Sequence, residues 1–117
     1  MQRMLVFSIA GRTRCCELEQ VREIVPNMRT TRLPGAPAFV RGLVNHRGTL
    51  VTVTDATHCL HGVKADDSMA VILLVERKGR AAGVLVDNVF DIRSLSAAEV
   101  EYGAILDLRE LVDRALA

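Results

Sequence analysis

The chain has 117 residues, half of them apolar, and a formal charge of +1. That length holds one domain, 1–117, with enough aliphatic side chain for a core that needs neither disulfides nor a structural metal. Without a basic tract, and with only Phe7, Phe39, Phe90 and Tyr102 as aromatic residues, it lacks the charge footprint and stacking platforms of a nucleic-acid binder.

In chain order, "RMLVFSI" (3–9) reads as a strand that turns at Ala10-Gly11-Arg12 and returns over 13–18. "LEQVREIV" (18–25) places Leu18, Val21 and Ile24 or Val25 at helical spacing, which predicts a short helix or turn stopped by Pro26. "RLPGAPAF" (32–39) is a Pro/Gly loop. Segments 40–48 and 49–55 predict two strands around a turn at Arg47-Gly48, and 69–77 and 80–87 another pair turning at Lys78-Gly79. "AVILLV" is apolar throughout, so both its faces should be covered. Residues 88–95 continue extended, "GAILDL" (103–108) predicts a last strand, and 108–117 places Leu108, Leu111, Val112, Ala115 and Leu116 on one helical face. Six or seven short strands with closely spaced turns imply an all-β sandwich or small barrel with two minor helices.

Three cysteines, two of them adjacent (Cys15, Cys16), make no disulfide framework and suit a reducing compartment. The N-terminal apolar run is too short for a signal peptide or a membrane span. The expectation is a cytoplasmic protein with no direct membrane insertion.

All three histidines, His46, His58 and His61, fall within residues 45–62, with Cys59 between the last two. A tetrahedral zinc site would need further ligands, and adjacent Cys15 and Cys16 on a strand point to opposite faces. Nothing frames Cys59 as a nucleophile with a histidine base. The carboxylate pairs Asp66/Asp67 and Asp87/Asp91 have no supporting histidine or phosphate loop, and Asp87 ends a strand where it can bind backbone donors. The pattern therefore implies no enzyme, no cofactor and no metal. Arginines 22, 29, 32, 41 and 47 crowd the stretch before residue 48, where they serve either an interface or solubility.

The segments "VREIV", "LPGAPAFVRGLVNHRGTLVTVTD" and "VILLVERKGRAAGVLVDNVFDI" resemble, collinearly from about Leu5 to Val100, the CheW-like family of bacterial adaptors. Family members couple chemoreceptors to the CheA-type histidine kinase of chemotaxis. The resemblance implies two small SH3-like β-barrel subdomains sharing a core, with a short helix after the N-x-R-G hairpin and a C-terminal helix. It also implies two partners, the cytoplasmic tip of a methyl-accepting chemotaxis receptor and the kinase's regulatory domain. Carried over by motif, the partner-binding residues are Val21, Glu23 and Ile24 of "VREI", Arg41 and Gly42 of "VRGL", and Arg47 of "NHRG". Leu50 and Val53 of the next strand join them, with Gly83 and Val89 in the second half. Arg47 can equally serve as a turn residue. The chain departs from the family pattern after "SLS": a strand and its loop are missing before "AILDLRELVDRAL", which implies an open sheet edge. A shortened module that engages a single partner is the alternative reading, and a metal- or thiol-dependent protein using the histidines and Cys59 is a third.

Overall fold

Three two-residue turns set the hairpins. Ala10-Gly11, Arg47-Gly48 and Lys78-Gly79 all have positive φ at both positions (52° and 75°, 52° and 83°, 53° and 76°). This is the type I′ geometry whose twist matches that of the flanking strands, and it explains the glycine in each second place. All three turns lie where the sequence places them. The computed structural model describes residues 2–66, 69–96 and 104–116. Asp67 and Tyr102, the predicted strand's first residue Gly103 and the Leu116 side chain lie outside the described parts.

Strands β1 (Gln2–Ile9), β2 (Arg12–Glu17) and β8 (Asn88–Leu95) form one antiparallel sheet in the order β2-β1-β8. Strands β3 (Glu23–Pro26), β4 (Val40–His46), β5 (Thr49–Asp55), β6 (Val71–Arg77) and β7 (Arg80–Val86) form a second, ordered β3-β6-β7-β5-β4. Its pairs are antiparallel except β5 with β7, which run parallel because helix α1 (Ala56–His61) and β6 intervene. The two ends of this sheet approach each other: Thr31, just beyond β3, bridges Leu43 of β4 through two 2.8 Å backbone bonds. Glu23 of β3 reaches Arg47 beyond β4. The five strands thus curl into a small barrel, as expected for an SH3-like subdomain.

Burial follows from this closure. Val25, Val44, Val51, Val53, Ile72, Leu74 and Leu85 fill the barrel. On the other face of β6 and β7, Leu73, Val75, Ala82, Val84 and Val86 meet Leu5, Phe7 and Ile9 of β1 and Cys16 of β2. Helix α2 (Leu108–Leu116) covers that seam with Leu108, Leu111 and Val112. The Asp107 carboxylate caps α2 by accepting from Arg109 N (3.0 Å), and Gln20 Oε1 accepts from Leu108 N (2.9 Å). Arg77 grips Asp113 through two 2.8 Å bonds that hold this carboxyl below its usual pKa. Strand β6 is therefore apolar on both faces because it separates two cores, as "AVILLV" suggests.

Two segments differ from expectation. Residues 18–25 make only a single 3-10 turn (Leu18–Gln20) before β3, which pairs with β6 from Glu23↔Leu74 to Pro26↔Val71. Pairing with a preformed neighbour outweighs a weak helical period, and Pro26 is tolerated because β3 is a terminal strand of the hydrogen-bonded order. The strand predicted over 103–108 shrinks to one parallel bridge, Ile105 with Cys15, flanked by 2.8 Å bonds to Ala104 O and from Leu106 N. Asp107 then starts α2.

Gly42 shows how tightly the barrel end is built. Its φ is 137°, it sits at a bulge between β4 and β5, and an added Cβ would lie 2.2 Å from Thr31 O. Gly42→Ala is expected to cost about 3 kcal/mol from backbone strain and displacement of the bridge, read as a lower midpoint in urea unfolding at unchanged slope.

Candidate functional site

The barrel seam gathers a small polar cluster. Glu23 Oε1 accepts from Arg47 Nη1 at 3.0 Å, and Glu23 Oε2 lies 3.3 Å from His46 Nε2. Arg47 owes its position to the hairpin, where Asn45 Oδ1 accepts from Gly48 N at 2.8 Å. His46 is brought in by strand alternation, since it shares a face with buried Val44. The guanidinium is 76% exposed, so this ion pair contributes at most about 1 kcal/mol. Barrel closure rests on the apolar interior, where each buried aliphatic side chain is worth roughly 1.5–3 kcal/mol. The Arg47 guanidinium is thus accessible to a partner without carrying the fold.

Two large apolar residues stand beside it on the outer side of the barrel: Ile24 of β3 and Leu50 of β5, 42% and 64% exposed. Their neighbours Val25 and Val51 point inward, and alternation turns Ile24 and Leu50 out. Between β3 and β5 lies β4, with Asn45 registered against Leu50. The result is a surface strip on the outer face, Ile24 and Leu50 with Arg47 in the turn beside Leu50, while Glu23 and His46 lie behind it on the face of Val25 and Val44. It suits a helix laid against it, with apolar anchors ringed by charge.

The remaining residues carried over by motif fall elsewhere. Val53 is a core residue, 1% exposed inside the barrel, and does not line a groove. Gly83 is buried on β7, where a Cβ would come 2.7 Å from Ile72 Cγ2. Gly42 is buried at its bulge. Val21 and Val89 pack, partly buried, against the core between the sheets. Strand alternation reveals that a residue faces inward only once it is known which faces of the sheet are covered.

Arg41 has a separate task. It stands six residues from Arg47 along β4, roughly 20 Å away at the strand rise. Its Nε lies 3.2 Å from Asp55 Oδ2, and Nη2 donates to Ala65 O at 3.3 Å. Asp55 is fully buried and also accepts from His58 N (3.1 Å), capping α1, and from Ala65 N (3.0 Å). Arg41 also lines a cavity of about 440 Å³ with Arg32, His58 and Lys64. The motif did not reveal the Asp55 junction. The only signal in the sequence was an aspartate ending an apolar strand just before a short helix.

The histidines and cysteines do not converge. His58 and His61 lie on α1, away from His46 at the seam, and no group of three or more His, Cys, Asp or Glu side chains assembles among the described residues. Cys15 and Cys16 point into different clusters on opposite faces of β2. Burial pushes the Cys16 thiol up to about 12, aided by Cys15 and Glu17, and raises that of Cys15. Cys59, half-buried on α1, lies 3.9 Å from Arg114 Nη1. Asp87 accepts from Gly11 N at 2.9 Å, the backbone role its strand-end position suggests.

A sequence-family model described as the CheW-like domain matches residues 3–115. Chemotaxis protein CheW of Rhizobium meliloti (strain 1021) is 33% identical over 100 residues, covering 84% of this chain and 64% of that protein. Chemotaxis protein CheW of Klebsiella aerogenes is 31% identical over 101 residues, covering 85% and 60% respectively. The chain thus spans less than two thirds of the length of either relative. The crystal structure of the scaffolding protein TtCheW from Thermoanaerobacter tengcongensis superposes with a TM-score of 0.77 at 29% identity, covering 86% of this chain and 66% of that one.

Magnitudes separate the two charged clusters experimentally. Asp55→Ala removes the carboxylate paired with a largely buried guanidinium and uncaps α1, so it is expected to cost about 3 kcal/mol or more in denaturant unfolding. Arg47→Ala should change stability by less than about 1 kcal/mol. In native protein at pH 8, a thiol reagent should label Cys59 first. Cys16, with its pKa far above that pH, stays protonated and protected until the chain unfolds. Rapid native labelling of Cys16 would contradict this assignment.

Proposed function

The chain belongs to the CheW-like domain family, and on that premise we propose that it is a non-enzymatic adaptor coupling a chemoreceptor tip to a CheA-type histidine kinase. The observation that carries the reading is the seam strip, exposed Ile24 and Leu50 on the outer face with Arg47, 76% exposed, in the turn beside Leu50. A receptor tip is helical, and its apolar ridge would seat on Ile24 and Leu50. Arg47, held at the strip by Glu23 but mostly in water, supplies a donor fork for a carboxylate or carbonyl on that helix. The kinase's regulatory domain takes a separate surface, and holding both on one rigid domain raises their effective concentration for one another. No bond is made or broken, so the work is done by binding alone.

Pull-down against the receptor tip and against the kinase regulatory domain, one at a time, tests the adaptor reading. Capture of both is expected; capture of one alone would establish the single-partner module instead. Arg47→Ala and Leu50→Asp should each weaken receptor-tip binding about tenfold or more, with kinase-domain binding and thermal unfolding little changed. Wild-type affinity in both variants would sink the assignment of the strip.

A further inference from the structure

Strand β8 ends the three-stranded sheet, and among the described residues nothing pairs with its outer edge. The other sheet ends are met: β2 by the Ile105 bridge, and β3 and β4 by each other across the barrel seam. Most of β8 is exposed, including Phe90 at 55% and Ile92 at 46%. Exposed apolar residues on an unpaired edge are a template for another strand. The Ile92 N–H is turned to the strand's own Asp91 Oδ1 (2.8 Å), and Arg93 Nε lies 3.3 Å from Asp91 Oδ2. One carboxylate therefore holds both an edge donor and the neighbouring guanidinium, and both are available for exchange.

We propose that this edge pairs with β8 of a second copy of the chain, antiparallel and centred on Ile92. The charge pattern selects both the partner and the register. A two-fold axis between antiparallel strands passes beside a residue that faces its own copy. Centred on Asp91, two carboxylates would meet; centred on Arg93, two guanidiniums would meet. Centred on Ile92, Asp91 faces Arg93 twice, once on each side of the axis, and Ile92 faces itself, while the bulge that leaves Phe90 out of the register with β1 bounds the paired stretch. Each Asp91 then exchanges the Arg93 of its own strand for that of the partner, and the freed Ile92 N–H groups enter the new ladder. Directly opposed charge pairs and apolar pairs are the contacts that stabilise an antiparallel ladder. This surface is distinct from the barrel seam and does not depend on whether the seam binds a receptor.

Sedimentation equilibrium over a protein concentration series tests the proposal. Wild type should show a monomer–dimer equilibrium. Arg93→Asp and Asp91→Arg, which oppose like charges at both positions, should each weaken it about tenfold or more. The double variant Asp91→Arg/Arg93→Asp restores opposite pairs and should recover dimerisation, with circular dichroism showing all four proteins folded alike. A wild-type chain that stays monomeric throughout, leaving the edge to a different protein, overturns the proposal. So does a dimer indifferent to the single reversals, or one the double variant fails to rescue.

Discussion

A fully buried carboxylate, that of Asp55, ties together the parts of this molecule that would otherwise be independent. A lone charge at that depth would cost several kcal/mol, so its surroundings must supply partners. They come from three places: the Arg41 guanidinium on β4, the first turn of α1, and the backbone of Ala65 in the loop beyond. The same residue's N–H bonds Phe39 O at 2.8 Å, fixing the entry to β4. One side chain thus sets where β5 ends, where α1 begins and how the chain crosses over to β6.

That crossover places β7 parallel to β5, with β6 beside it, and makes β6 and β7 the wall between two cores. A wall buried on both faces leaves little freedom for substitution, as Gly83 shows: there is room against Ile72 for a hydrogen but not for a methyl. Polar surface is displaced to the rims. Exposed apolar residues occur at the barrel seam (Ile24, Leu50) and on the β8 edge (Phe90, Ile92), and also at Val63 and Met69 on the way from α1 to β6.

Much of this was legible in the chain. The three X-Gly turns with alternating flanks marked the hairpins, because type I′ geometry demands positive φ that glycine supplies. The uniformly apolar run at 70–75 announced two-sided burial, and the final amphipathic stretch announced α2. The site was legible in part. The motif at 21–24 and 41–47 falls on or beside β3 and β4, which meet at the barrel seam, yet it grouped Arg41 with Arg47 and exposed Leu50 with buried Val53. Motif proximity counts residues along a strand, whereas function depends on the face and on the end of the strand.

What the sequence determined by itself is local: the three hairpin turns, the strands that flank them, the amphipathic stretch that becomes α2, and the family pattern. These follow from φ preferences and from the alternation of side chains, which act over a few residues. Tertiary structure alone decided that residues 23–26 are a strand and not a helix, because the hydrogen-bonding partner is β6, some fifty residues away. It also decided that His46 joins Glu23 and that Arg41 belongs to Asp55. Contacts between residues far apart in the chain exist only once the barrel has closed, so periodicity, which is a local property, could not report them.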